Sequence, residues 1–177
     1  MAQENISLKF GWLLHRNRGV RLAAAAVLIA GASAGEAAQV IFAGGAWAAI
    51  DYGAQCEARS KALWAKQGTE PYAGFAFAAR GGAQGRFYVH LSRAARAGAT
   101  VVATIGSEPF LLAGKGEWAW SSGAAQSAAI LKAARYAGGM RVESRDQRGR
   151  RIVDRYELRG AATAIDAAAA DCAGKTD

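Results

Sequence analysis

The chain has 177 residues, enough for one domain and a short appendage, and 52% of them are apolar, so a sizeable core is within reach. Twenty-two glycines against two prolines suit many tight turns and exclude a proline-rich linker protein. The net charge of +8 favours acidic partners, unless the arginines only solvate the surface, which their scatter among acids makes the simpler reading.

Residues 1–37 read as an export signal. Arg16, Arg18 and Arg21 precede an apolar run from Leu22 to Ala30, which fades into the small residues Ala32-Ser-Ala34 and Gly35-Glu-Ala37. Cleavage is expected before Ala38. The run is about 13 residues, short of the roughly 20 that a spanning helix needs, so an uncleaved anchor is the weaker alternative. No Arg-Arg pair is present in residues 1–37, which points to the general export route. The remainder, residues 38–177, is expected to be a single domain in the periplasm or outside the cell.

Export decides how the two cysteines are read. In an oxidising compartment they most simply form one bridge, Cys56–Cys172. It would close a loop of about 115 residues, on the order of 4–5 kcal/mol in the chain-entropy model. The alternative is two thiols with a metal or catalytic role, but neither cysteine has a CxxC partner or an adjacent histidine.

From Ile41 the chain reads as short strands with turns about every ten residues, the spacing of an all-β sandwich or barrel. Trp47–Tyr52 and Gln55–Ala58 form an early strand pair or one kinked strand, and Phe75–Phe77 alternates. In Arg86–Ser92, Phe87, Val89 and Leu91 share one face, with Tyr88 and His90 together on the other. Strands follow at Ala99–Ile105, Phe110–Leu112 and Glu117–Trp120. Gly123–Ala137 is a helix between late strands, with Ser121 or Ser127 as its cap and Gly138-Gly139 as its stop.

A hairpin comes next. If Gln147, Arg148 and Gly149 form a three-residue loop, Gly149 takes the left-handed position and Asp146 opposes Arg150. Met140 then faces Tyr156, Val142 faces Asp154 and Ser144 faces Ile152, which leaves Arg141, Glu143, Arg151, Arg155 and Glu157 on the other face. A one-residue slip would mix the two faces. After Gly160 a C-terminal helix carries the stripe Ile165, Ala168, Ala169 and Cys172.

The order of these motifs resembles the invasion-associated locus B family of exported bacterial proteins. The resemblance runs over residues 46–172: Tyr52-Gly-Ala-Gln-Cys56, then Ala119-Trp120 before a small-residue helix, Gly138-Gly-Met-Arg-Val142, and Tyr156-Glu-Leu-Arg-Gly160 with Ala164 and a final Cys172. It implies an immunoglobulin-like antiparallel β-sandwich in the periplasm or on the cell surface, non-enzymatic, with a host-surface or envelope partner. The chain departs from the family at Ala161, where an aromatic is usual, and in lacking the second cysteine pair of many members.

No catalytic, metal or cofactor constellation emerges. His90 is the one histidine after the export segment, and no Gly-x-Ser-x-Gly elbow frames a serine. Ser92 or Ser107 with His90 and Asp51 would be needed for a triad, the alternative reading being a periplasmic hydrolase. The carboxylates lack calcium-loop spacing, and Gly114-Lys-Gly116 is too short for a phosphate loop. Trp118 and Trp120 share a strand face. They read first as core, with Trp120 the more buried; exposed, they would stack on a sugar or bury in a partner, and Trp118 is the candidate for that role. Arg141, Arg145, Arg148, Arg150, Arg151 and Arg155 read first as a solvated hairpin; as a site they would touch anionic lipid or an acidic glycan, with Arg141, Arg148, Arg150, Arg151 and Arg155 the candidates. Nucleic acid is not expected for an exported chain lacking an aromatic-basic stacking surface.

Overall fold

Alternation of buried and open side chains builds most of this molecule. In β3 (Gln55–Lys61) Cys56, Ala58 and Ser60 are buried while the residues between them are not. In β5 (Gln84–His90) Phe87 and Val89 are buried, with Tyr88 and His90 on the opposite face as the sequence predicts. The computed structural model describes residues 38–66, 68–79 and 84–175. The expected export segment and the residues before the cleavage position lie outside the described residues.

The remaining strands are β1 (Gln39–Gly44), β2 (Trp47–Asp51), β4 (Tyr72–Ala78), β6 (Val101–Ile105), β7 (Glu108–Lys115), β8 (Trp118–Trp120), β9 (Gly139–Arg145) and β10 (Arg151–Glu157). Every pairing is antiparallel, in the order β1-β2-β3-β4-β5-β8-β7-β6-β9-β10. Strand β7 belongs to both halves: its first five residues pair with β6 and its last three with β8. The halves on either side of β7 form a mainly β sandwich and share one core, which holds Phe75 and Phe87 along with Val101, Ile105, Val142 and Tyr156. Each fully buried aromatic or branched side chain contributes roughly 1.5–3 kcal/mol.

The hairpin β9–β10 has the predicted register: Met140 faces Tyr156, Val142 faces Asp154 and Ser144 faces Ile152. Gly149 sits at φ 75°, and the Asp146 N–H donates to the Arg150 carbonyl over 2.9 Å.

Two helices complete the fold, one between late strands and one at the C-terminal end. The first, α1 (Ala124–Tyr136), packs mainly on β5 and buries Ser127, Ile130 and Ala134. Neither Ser121 nor Ser127 caps it. Their hydroxyls instead share a 2.6 Å hydrogen bond, and Ser127 donates to the Gly123 carbonyl. The Ser122 N–H goes to the Gln126 side chain. The cap fails because Gly123 occupies the cap position, two residues after Ser121 and four before Ser127.

The second helix, α2 (Ala161–Ala173), lies on β2 and β3. Its buried stripe is Ala161, Ala164, Ile165, Ala168 and Cys172; Ala169 is only partly buried, so the stripe reaches further toward the N-terminal end than predicted. Ala161 is fully buried. Arg135 of α1 donates two hydrogen bonds to Asp166 of α2, at 2.6 and 3.1 Å. No helix among the described residues is long and apolar enough to cross a membrane.

Two links hold the ends of the sandwich. Cys56 and Cys172 are joined across 116 residues, with their Cα atoms 5.7 Å apart. The outer edge of β10, the last strand of the sheet, is taken by the first half. The Leu63 N–H donates to the Arg155 carbonyl at 2.7 Å, the Trp47 indole to Glu157 at 2.8 Å and the Ala46 N–H to Arg159 at 3.0 Å. Gly45 and Gly160 meet at this seam with φ 61° and 91°, and a Cβ on either would run into the other segment's backbone.

Two outcomes are expected. Gly160→Ala or Gly45→Ala should each cost about 2–3 kcal/mol, from backbone strain and from the lost close approach, read as a lower urea midpoint with an unchanged slope. Replacing Cys56 and Cys172 together by serine should cost about 4 kcal/mol in the same measurement, and reduction of the wild type should reproduce it.

Candidate functional site

The structure separates the residues that the sequence nominates. Trp118 lies on the outward face of the half built from β2 to β5 and β8, and Arg141, Arg151 and Arg155 lie on the outward face of the half built from β6, β9 and β10.

Trp118 and Trp120 are not core residues, contrary to the first reading of the sequence. Trp118 is 40% exposed and Trp120 half-buried, while Ala119 between them is fully buried. The reason lies across the strands. Ala119 faces Val89 on one side and Gly114 on the other. A Cβ on Gly114 would come within 2.7 Å of Val101. With Ala119 held inside, the pleat turns both tryptophans outward.

Register then assembles an aromatic face. One cross-strand row reads Lys61, Tyr72, His90, Trp118, Lys115, and the next reads Arg59, Gly74, Tyr88, Trp120, Ala113. Tyr72 stacks on His90 with centroids 5.1 Å apart, and His90 meets Trp118 at 4.8 Å in an edge-on contact. Trp118 also contacts Tyr72 at 5.8 Å and Tyr88 at 6.3 Å. The Arg59 guanidinium sits 3.6 Å from the Tyr72 ring centroid, a cation–π contact. Tyr88 lies across Gly74, where a Cβ would fall 2.6 Å from its hydroxyl, so only glycine leaves that space open.

Polar groups frame these rings. The Tyr88 hydroxyl donates to Glu57 at 2.5 Å, and Gln55 donates to the other oxygen of the same carboxylate at 2.7 Å. Burial first, and then the Glu57 carboxylate, push the Tyr88 phenol far above its ordinary range, so it stays a neutral donor. Tyr52, Gln55, Glu57, Arg59, Tyr72 and Trp118 line an open cleft of about 530 Å³, the size of a small-ligand site. Of this face the sequence shows only two same-strand pairs, Tyr88 with His90 and Trp118 with Trp120. Tyr72, Arg59 and Glu57 come from strands whose register no local pattern reveals. The aromatic-basic surface that the sequence lacks therefore exists in the fold.

The opposite face is basic. Arg141 faces Arg155, Glu143 faces Val153 and Arg145 faces Arg151. Glu143 accepts from Arg151 at 2.8 Å and pairs with Arg141 at 3.0 Å. The Arg151 hydrogen bond, with Arg141 and Arg155 nearby, holds its carboxyl below the usual range. Arg148 and Arg150 stand apart in the turn. Arg150 is engaged by Asp146 at 2.8 Å, which also holds Arg93 at 3.0 Å and the N–H groups of Arg148 and Arg150.

His90 and Asp51, the base and the acid of the conceivable triad, have separate partners. His90 has its ring in the aromatic stack and its nitrogens near the Glu70 carbonyl and the Glu117 carboxylate. Asp51 accepts from Lys175 and from the Gly53 N–H, and Ser107 lies in the β6–β7 turn. Asp51, Cys56 and Asp171 cluster with the geometry of a cation site. The cysteine sulfur is spent in the disulfide, however, and Lys175 pairs with both carboxylates, holding Asp51 below the usual carboxylate range.

No family model, curated protein or solved structure matches the chain.

Asp146 gives a pH signature. Burial opposes its ionisation, but hydrogen bonds from the Arg150 N–H, the Arg150 guanidinium and the Arg148 N–H outweigh it and hold the carboxyl below its usual value. A carboxyl depressed on folding stabilises fully above the unfolded pKa of about 3.9, and that stability is lost as pH falls through the folded value. Asp146→Asn should therefore lower the thermal midpoint at neutral pH. The gap to wild type should narrow as pH falls below about 3.9, measured by circular dichroism melts across the acid range.

Proposed function

We propose that this chain is an exported, non-catalytic binding module of the bacterial cell envelope, and that its aromatic face holds a sugar ring of an envelope or host-surface glycan. The observation that carries the reading is a pre-ordered aromatic cluster left open to solvent. Trp118 keeps 40% of its surface exposed while Tyr72, Tyr88 and His90 fix its position. A stable sandwich gains nothing by leaving an indole outside; a binding protein gains a rigid apolar plane that needs no further ordering. The C–H face of a pyranose stacks on such a plane, and Glu57, Gln55 and Arg59 beside it supply acceptors and donors for hydroxyls.

Export is supported by the charged and apolar N-terminal stretch and by the Cys56–Cys172 bridge, a bond that persists in oxidising compartments. The resemblance of the motif order to that of the invasion-associated locus B family points to the same compartment and a partner outside the cytoplasm. His90 serves this reading as a member of the stack and not as a base.

A glycan array followed by calorimetry tests the assignment. Trp118→Ala should weaken binding of the selected glycan at least about tenfold, with only a modest drop in the melting midpoint from the lost cross-strand ring contacts. Arg141→Ala, on the other face, should bind as wild type. Equal affinities for wild type and the Trp118 variant would remove the aromatic face from consideration.

A further inference from the structure

We propose that the outward face of β9 and β10, together with the loop residues Leu63 and Trp64, is a docking surface for an anionic lipid bilayer. This proposal stands on different residues from the sugar-binding face.

The first observation is uncompensated charge. Arg141 opposes Arg155 and Arg145 opposes Arg151, two like-charged cross-strand pairs in a seven-residue ladder. Like charges directly opposite destabilise a sheet. Glu143, between them, relieves Arg141 and Arg151. Among the described residues no carboxylate lies within ion-pair distance of Arg155. Arg96 joins the same face beside Arg145, Arg151 and Glu143, and its N–H donates to the Arg145 carbonyl at 2.9 Å. A face of this composition is stabilised when phosphate groups supply the missing negative charge, and guanidinium groups bind phosphate in a bidentate fork.

The second observation is apolar. The Leu63 N–H bonds to the Arg155 carbonyl, so the loop after β3 is fastened to the outer edge of this same ladder. Leu63 is 51% exposed and Trp64 80%. Leu63 shares with Arg141 and Arg155 a hollow of about 450 Å³. Lys66 follows two residues on and is exposed. An open tryptophan and leucine against a row of arginines match the two parts of a bilayer interface: rings and alkyl groups enter the headgroup boundary while cations meet the anionic lipids.

Other occupants fit less well. A second copy of this face would bring arginines against arginines. A soluble acidic polymer would use the arginines but leave Leu63 and Trp64 uncovered. Only an anionic surface with an apolar layer beneath it satisfies both observations.

Co-sedimentation of the purified full chain with vesicles provides the test. Vesicles of phosphatidylglycerol and phosphatidylethanolamine should pull down the protein, vesicles of phosphatidylcholine should not, and added salt should weaken the binding. Arg141→Glu with Arg155→Glu should abolish it. Leu63→Ser with Trp64→Ser, both at exposed positions and checked for folding by circular dichroism, should weaken it at least tenfold while leaving its salt dependence in place. Brominated lipid should quench tryptophan emission in the wild type and less in the Trp64 variant. Absence of binding to anionic vesicles overturns the proposal. So does binding that survives both sets of substitutions, which would come from the apolar N-terminal stretch. Vesicle binding that ignores the Leu63 and Trp64 changes and is displaced by dextran sulfate would mark a polyanion site and overturn it as well.

Discussion

The outer edge of β10 is the constraint on which the rest of the structure depends. A terminal strand offers a row of unpaired carbonyls, and here the carbonyls of Arg151, Arg155, Glu157 and Arg159 receive donors from Arg93, Leu63, Trp47 and Ala46. These bonds bring the end of the sheet back onto its beginning. They also remove an edge that would otherwise pair with another chain. The close passage of Gly45 against Gly160 is a consequence, since two backbones meet there and neither tolerates a side chain. The disulfide works in the same direction: it ties the last turn of α2 to β3, in the half that supplies three of those donors.

Closure of the sandwich settles which face of each strand is interior. On β8 this goes against side-chain size, since an alanine lies inside between two tryptophans. The inward row through Val89, Ala119 and Gly114 is thin because Val101 approaches it from the other half. Once the alanine is inside, pleating puts Trp118 outside, in line with His90 and Tyr72. The aromatic face is thus a product of a packing requirement on the opposite side of the same sheet. The basic face has a similar origin. Inward Met140, Val142, Ile152 and Tyr156 force their neighbours outward, and Arg141, Arg151 and Arg155 are among those neighbours.

The fold was largely legible. Period-two burial in Arg86–Ser92 and the hairpin register were readable because each depends on one or two adjacent segments and a turn whose glycine takes the left-handed conformation. Helix α1 was readable as an element but its cap was not, since the cap depends on whether Gly123 or a serine reaches the first turn. The candidate sites were legible only in part. Tyr88, His90 and Trp118 could be named, but Arg59, Glu57 and Tyr72 join them through β3–β4–β5 pairing, and nothing in the local pattern states that register. Leu63 and Trp64 gave no periodic signal, being in a loop that a hydrogen bond fastens to β10.

By itself, the amino-acid sequence determined the strand-rich class, the helix between late strands, the C-terminal helix, the hairpin register and the pairing of its two cysteines. Each follows from local periodicity, from turn chemistry, or from there being only one possible partner. The tertiary structure alone decided which side of β8 is buried, which aromatic residues meet, and that the tryptophan and the arginines lie on different outward faces. Those outcomes depend on distances between segments far apart in the chain, and such distances are fixed only when the core closes and small residues let the two halves approach.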